Sequence, residues 1–107
     1  MSVAKVIRDG KVAVLISPGY GAGWSTWANA GNEQRMLYSP EMVAAVERGD
    51  GLKELEALAA SLFPGDYFGG LRGLCVEWVP VGQAFRIREY DGSESLELSA
   101  DVPWEVA

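Results

Sequence analysis

Apolar residues at both ends of the chain follow the patterns of β-strands. Residues 12–16 form an unbroken apolar run, which is typical of a buried strand. Segments 3–8 and 11–17 flank Asp9-Gly10, a favoured two-residue turn, and therefore predict a hairpin. The last third of the chain predicts antiparallel strands at 74–79, 84–90 and 94–98, with 102–106 as an edge strand.

Segment 84–90 alternates between apolar and charged side chains. Phe85 and Ile87 fall on one face, and the other face carries Arg86, Arg88 and Tyr90, with Trp78 expected across from them. Two arginines beside aromatic rings form a grip suited to phosphate or carboxylate. The favoured alternative is a solvated face on which Glu77 and Glu89 form cross-strand pairs with the arginines.

The middle of the chain predicts two short helices. Ser39 caps the first, Pro40 presets φ at its first position, and Gly49 ends it. Asp50 is expected to cap the second helix, which runs through Phe63 and shows an apolar stripe. Together these elements predict an α+β fold with a single domain over residues 1–107. Its mostly antiparallel sheet has about four to six strands, with the two helices packed on one face.

Glycines and aromatic residues are concentrated directly after the first buried strand, in Ser17-Pro-Gly-Tyr-Gly-Ala-Gly-Trp-Ser-Thr-Trp27. The alternate glycines permit positive φ and close approach of a ligand to the backbone. The spacing is not that of a dinucleotide-binding or P-loop motif. We interpret the segment as a ligand-binding loop whose candidate residues are Ser17, Gly19, Tyr20, Gly21, Gly23, Trp24, Ser25, Thr26 and Trp27.

Core packing is the alternative for the two tryptophans. Trp24 and Trp27 are three positions apart in a segment, 24–30, that predicts a short helical turn, so they can plug the core. Both interpretations hold together if one ring points inward and the other lines a pocket.

A second glycine-aromatic segment, Tyr67-Phe-Gly-Gly70, precedes a predicted strand and is followed by Arg72. If this strand neighbours the first buried strand, both loops lie at one end of the sheet. Tyr67 would then stack on a ligand, Gly70 would allow close approach, and Arg72 would hold an anionic group. The alternative is an ordinary connection packed by its own aromatic rings.

Composition restricts the function classes. The chain has 107 residues, a net charge of −6, one cysteine and no histidine. It therefore has neither the commonest general base nor the ligand set of a zinc site. No basic stripe is present to follow duplex nucleic acid, and no membrane span or signal peptide is visible, so we expect a cytoplasmic protein. We expect no cofactor and no metal.

Catalysis has little support in the sequence. Glu89, Asp91, Glu94 and Glu97 are close along the chain, and paired carboxylates can perform acid–base chemistry. The same pattern is typical of a water-facing strand edge. Cys75 lies in an apolar run and reads as a small buried hydrophobe.

The stretches 11–27, 67–70, Val76-Glu-Trp-Val-Pro80 and 85–94 resemble a family of small, mostly uncharacterised proteins of tailed phages and prophages. The resemblance covers most of the chain. It implies a viral accessory protein, a class that often counters host defence by sequestering nucleotide messengers or by blocking a defence protein.

The sequence thus predicts a non-enzymatic binder of a nucleotide-like signalling molecule, acting as a homodimer or larger assembly. Arg86 joins the candidate residues as a phosphate-holding group. One alternative is an acidic inhibitor whose carboxylates at 89–105 bind a basic, nucleic-acid-binding defence protein. The other is a small hydrolase acting through Glu89, Asp91 or Glu94.

Overall fold

The computed structural model of the chain describes residues 4–18, 24, 33–64, 71–90 and 93–98. In these residues five strands, three α-helices and one 3₁₀ turn form an α+β fold, as predicted. In chain order the elements are β1 (Ile7–Arg8), β2 (Lys11–Ile16), α1 (Glu33–Tyr38), α2 (Pro40–Arg48), α3 (Leu52–Leu62), a 3₁₀ turn (Leu71–Gly73), β3 (Cys75–Pro80), β4 (Phe85–Tyr90) and β5 (Ser93–Leu98).

The strands form two antiparallel sheets rather than the one larger sheet that the sequence predicts. In the first sheet β2 is central and pairs with both β1 and β3. In the second sheet β4 pairs with β5, and Tyr90 is opposite Ser93. The predicted edge strand at 102–106 lies outside the described residues.

Strand β2 separates two hydrophobic clusters because its side chains alternate between faces. Ala13 and Leu15 pack into a cluster with residues of α2 and α3, so both predicted helices do cover one face of the sheet. Val14 belongs to a second cluster, to which the β4–β5 hairpin contributes Phe85, Leu96 and Leu98. Helices, three-stranded sheet and hairpin are therefore stacked as three layers with β2 in the middle.

The β1–β2 turn has the conformation that its sequence requires. Asp9 and Gly10 have φ values of 50° and 74°, so both central residues are left-handed, as in a type I′ turn. The predicted turn after β3 is also present, since the Gln83 N–H donates to the Pro80 carbonyl at 3.0 Å.

Helix α2 begins and ends as predicted. The Ser39 hydroxyl accepts a hydrogen bond from the Met42 N–H at 3.3 Å, and Gly49 ends the helix in the left-handed region with φ of 79°. The prediction that Asp50 caps α3 is wrong. Gly51 occupies the N-cap without a side-chain hydrogen bond, while the Asp50 carboxylate accepts from Arg48 at 2.8 Å.

Helix α1 was not predicted. It has only six residues and is separated from α2 by Ser39 alone. Its residues reach both clusters, since Met36 packs with the helices and Tyr38 packs with Val14 and Val79. A helix this short is held by such tertiary contacts rather than by local propensity.

Candidate functional site at the end of strand β2

The chain leaves β2 and enters β3 at the same end of the three-stranded sheet. Ile16, the last residue of β2, is opposite Cys75, the first residue of β3. The chain leaving β2 at Ser17 and the chain entering β3 from Leu74 therefore lie side by side, as the sequence predicted for neighbouring strands. Leu71 and Leu74 pack in the same cluster as Trp24.

Glu94, from the start of β5, lies at this sheet end and is fully buried. Its Oε1 accepts a hydrogen bond from the Ser17 backbone N–H at 3.0 Å, and its Oε2 accepts one from the Trp24 backbone N–H at 2.9 Å. Charge-assisted bonds of this kind offset part of the cost of removing a carboxylate from water. A single side chain therefore holds both ends of the segment 17–24.

Two further hydrogen bonds connect the same parts of the chain. The Glu94 backbone N–H donates to the Ser17 carbonyl at 2.8 Å, and the Ser93 hydroxyl donates to the Pro18 carbonyl at 2.6 Å. We call these two bonds and the two carboxylate bonds of Glu94 the Glu94 clamp. The clamp attaches the β4–β5 hairpin to the end of the three-stranded sheet.

The Trp24 side chain belongs to the core. It has no exposed surface, and its ring meets Phe63 edge-on with centroids 6.1 Å apart. Its indole N–H donates to the Met36 carbonyl at 2.8 Å. The core alternative therefore holds for Trp24, whose ring has no free face for stacking on a ligand. Trp27, the other tryptophan of the pair, lies outside the described residues.

Among the described residues, the Ser17 hydroxyl is the buried side-chain polar group that lacks a hydrogen-bond partner. Ser17 is fully buried, and among the described residues its Oγ makes no hydrogen bond, although its backbone N–H and carbonyl are both bonded. A buried hydroxyl without a partner destabilises a fold by roughly 1–3 kcal/mol, so its presence calls for a reason.

Arg86 takes no part in the Glu94 clamp. It is opposite Glu97 and four residues along β4 from Tyr90, about 13 Å at the rise of an extended strand. Glu97 accepts hydrogen bonds from Arg88 at 2.7 Å and from Arg86 at 2.6 Å, and these bonds hold the pKa of the Glu97 carboxyl below its usual range.

The face of β4 that carries Arg86 and Arg88 is therefore the predicted solvated face. The carboxylate that pairs with these arginines, however, is not one of those predicted. Glu97 replaces the expected Glu77, which lies on β3 in the other sheet. The expectation that Trp78 lies across from the arginines is also wrong. Trp78 is in the three-stranded sheet, where the Arg8 guanidinium lies 5.3 Å from its ring centroid.

Cys75 is half-buried near the clamp. Burial raises the pKa of its thiol, and the negative charges of Glu77 and Glu94 raise it further. Less of this thiol is therefore ionised than in an exposed cysteine, and the residue is half-buried rather than buried as predicted.

The remaining predicted ligand residues lie outside the described part of the chain. They are Gly19, Tyr20, Gly21, Gly23, Ser25, Thr26, Trp27, Tyr67 and Gly70. Arg72 is in the 3₁₀ turn before β3, and the description there covers its backbone only.

Sequence reasoning placed Glu94 on a water-facing edge, and this was wrong. The signal for its burial was the period of the strand. Glu94 is two and four positions before Leu96 and Leu98, and residues of a strand separated by even steps share a face. Because that face packs on the three-stranded sheet, the carboxylate is carried inward with the two leucines.

Within the described ranges no helix combines the length and hydrophobicity required to cross a bilayer, and no three metal-ligating side chains are grouped. Compared with family models, curated proteins and solved structures, the chain gives no match.

Proposed function

We propose that the chain is a non-enzymatic binder of a nucleotide-like small molecule. The ligand would contact the segment after β2 and the segment before β3. In line with the sequence resemblance, we propose that it serves a phage by sequestering a signalling nucleotide of its host. Because small chains seldom enclose a ligand alone, we extend the proposal to a homodimer or larger assembly.

The observation that carries the proposal is the Ser17 hydroxyl. It lies at the foot of the glycine-aromatic segment, fully buried and without a hydrogen bond from any described residue. A hydroxyl that destabilises the fold is explained if it is retained to bind something else. A sugar hydroxyl or a phosphate oxygen of a nucleotide supplies the missing partner.

Two of the residues predicted to bind the ligand are removed from the proposal. Trp24 leaves it because its ring is in the core and its backbone N–H is bonded to Glu94. Arg86 leaves it because it is engaged with Glu97 away from the sheet end. The proposed stacking residues are Tyr20, Trp27 and Tyr67, and the proposed polar residues are Ser17, Ser25, Thr26 and Arg72, with backbone donors from Gly19, Gly21, Gly23 and Gly70.

The acidic-inhibitor alternative is weaker than the sequence suggested. Of the carboxylates in segment 89–105, Glu94 is buried and Glu97 is already paired with two arginines. Neither presents a free negative charge to a basic partner. The hydrolase alternative loses Glu94 for a similar reason, because both of its oxygens bind backbone N–H groups.

Ser17→Ala tests the proposal. Isothermal titration calorimetry is run on the wild type and the variant against 3′,5′-cyclic nucleotides and ADP-ribose. We expect the wild type to bind at least one of them. In the variant, affinity should fall about 5- to 10-fold, the value of one hydrogen bond. The stability of the variant should be unchanged or increased, because the unpaired hydroxyl is gone.

Ser95→Ala is the matched control, since Ser95 is an exposed serine on β5 opposite Arg88. It should change neither affinity nor stability. Absence of binding by the wild type across the panel contradicts the proposal. So does a Ser17→Ala variant that binds as tightly as the wild type.

A further inference from the structure

We propose that the outer edge of β1 is an interface at which two copies of the chain pair as antiparallel strands, related by a two-fold axis at Ile7. The two three-stranded sheets then become one continuous six-stranded sheet. This inference rests on the homodimer of the proposed function, but it does not depend on the ligand.

The outer edge of β1 is exposed. Among the described residues β1 pairs with β2 alone, and the side chains of Lys5, Ile7 and Arg8 are exposed. Ile7 and Val81 are the two exposed large hydrophobic residues of the described chain, each with 58% of its surface accessible. A strand edge that carries an exposed aliphatic side chain is a template for pairing with another strand.

The hydrogen-bond pattern of β1 shows which main-chain groups point outward. The Ala13 N–H donates to the Val6 carbonyl at 2.9 Å, so the main-chain groups of Val6 point toward β2. Because these groups alternate in direction along an antiparallel strand, those of Lys5 and Ile7 point away from β2. An axis at Ile7 therefore places its N–H and carbonyl opposite the carbonyl and N–H of the second Ile7, as in a hydrogen-bonded pair.

The same axis extends an apolar row across both copies. Ile7 is opposite Val12, and Val12 is opposite Val79, so the three side chains share the sheet face on which the second hydrophobic cluster is built. In the paired copies the row runs from Val79 to Ile7 and continues through the same three residues in reverse order. Cross-strand contacts of this kind stabilise a sheet, and they cover the Ile7 side chain, which a single copy leaves in water.

Charge favours this register over its neighbours. With the axis at Ile7, Lys5 of each copy is opposite Asp9 of the partner copy, and within the described residues Asp9 forms no ion pair. An axis at Arg8 would instead set two arginines against each other, and an axis at Val6 would set Lys5 opposite an isoleucine. Lysine on a strand edge usually discourages pairing, but in the register centred on Ile7 it meets a carboxylate.

The opposite edge of the sheet is less suited to pairing. It is formed by β3, which ends at Pro80. The Val81 N–H donates to the Gly10 carbonyl at 2.8 Å, so the preceding Pro80 directs its main chain to the outer edge, where it has no N–H to donate. Glu77 is exposed near the middle of β3, and an axis there would set two glutamates against each other. The β1 edge is therefore the one that pairs.

Analytical ultracentrifugation of the full chain tests the inference. We expect a monomer–dimer equilibrium with a dissociation constant of about 10 µM, since pairing at a strand edge buries a small area. Ile7→Glu places two like charges at the axis and should weaken the dimer at least tenfold. Val81→Glu is the matched control, because Val81 is equally exposed but lies outside β1, and it should leave the dimer unchanged. Circular dichroism confirms that both variants fold.

Asp9→Asn tests the register, because asparagine tolerates the left-handed backbone of the turn. In the wild type this change removes both ion pairs and should weaken the dimer about two- to fivefold. In Lys5→Glu, where two carboxylates face each other, the same change should strengthen the dimer. The chain has a net charge of −6, so a general loss of repulsion would strengthen both dimers, and only the specific pair reverses the sign.

Three results overturn the inference. They are a wild type that is monomeric at about 200 µM, a dimer that Ile7→Glu weakens no more than Val81→Glu does, and an effect of Asp9→Asn in the same direction in both backgrounds. Calorimetry with ADP-ribose on the same samples tests the ligand separately. A monomer that binds ADP-ribose refutes only the interface, whereas a dimer paired through β1 that binds no nucleotide refutes only the ligand.

Discussion

The indole N–H of Trp24 donates a 2.8 Å hydrogen bond to the backbone carbonyl of Met36, and both residues are fully buried. The bond joins the glycine-aromatic segment to α1, just as the Glu94 carboxylate joins it to β5. Trp24 is thus held from two sides, through its side chain and through its backbone N–H. Trp24, one of the residues predicted to stack on a ligand, is instead a buried residue that attaches the segment to the core.

Trp24→Phe removes this hydrogen bond and part of the ring volume. We expect it to lower the free energy of unfolding by about 2 kcal/mol, because the Met36 carbonyl is left without its donor and a small cavity forms. Urea denaturation followed by circular dichroism measures the change. Trp78→Phe is the control, since Trp78 is only half-buried, and it should lose less than half as much. Equal losses would show that the Met36 bond contributes nothing specific.

The Glu97 ion pairs make stability depend on pH. Hydrogen bonds from Arg88 and Arg86 lower the pKa of Glu97 in the folded state. The stabilisation is therefore complete above the carboxyl pKa of the unfolded chain, near 4.3, and is lost as the pH falls through the lower folded value. We expect the difference in thermal midpoint between the wild type and Glu97→Gln to shrink as the pH is lowered from 6 towards 3.

Salt provides the control for this prediction. The arginine side chains are more than half exposed, so about 1 M NaCl should reduce the difference at pH 6 through screening. A difference that is constant with both pH and salt would mean that Glu97 acts through packing and not through its charge.

Gly49 ends helix α2 in a left-handed backbone conformation. Its φ of 79° closes α2, and an added Cβ would meet no atom within 4 Å. Gly49→Ala therefore isolates the conformational cost of a left-handed alanine, and we expect a loss of about 1 kcal/mol in unfolding free energy. Gly73→Ala also has open space but lies outside the left-handed region, so a change below about 0.5 kcal/mol is expected there. Chemical denaturation of both variants decides the point.

The Cys75 thiol should react slowly with a disulfide reagent such as DTNB. Burial raises its pKa, and nearby Glu77 and Glu94 raise it further, so less thiolate is present at pH 8 than in an unfolded chain. Glu77→Gln removes one negative charge, lowers the thiol pKa and should accelerate the reaction. The same reagent in 8 M urea gives the unfolded reference rate. A native rate equal to that reference would contradict the placement of the thiol.

Local sequence signals predicted the local parts of the fold. The Asp9-Gly10 turn and the Ser39 and Gly49 caps depend on residues within a few positions of one another, and they are present as expected. The short helix α1 was missed because its stability comes from contacts with both clusters. Asp50 was predicted as a cap because its side chain is a good hydrogen-bond acceptor, but its carboxylate forms an ion pair with Arg48 instead.

The candidate site was predictable only in part. The sequence reasoning required the strand before the first glycine-aromatic segment and the strand after the second to be neighbours, and β2 and β3 do pair. The period of β5 indicates that Glu94 is buried, but the hydrogen-bond partners of Trp24 and Glu94 lie 12 and 70 positions away along the chain, and no local pattern identifies them. The division into two sheets likewise depends on how the hairpin packs, and alternation in one strand does not specify this.

The pairing of β2 with β3 has a consequence for the order of folding. Ile16 is opposite Cys75, about sixty positions later, so this ladder closes a long stretch of chain at a high entropic cost. The β4–β5 hairpin and the α2–α3 pair need only short closures. We expect them to form first and the β2–β3 ladder to be completed near the rate-limiting step. Under that order, Leu55→Ala should slow refolding in stopped-flow experiments by nearly all of the stability that it loses, whereas Val79→Ala should divide its loss between slower refolding and faster unfolding.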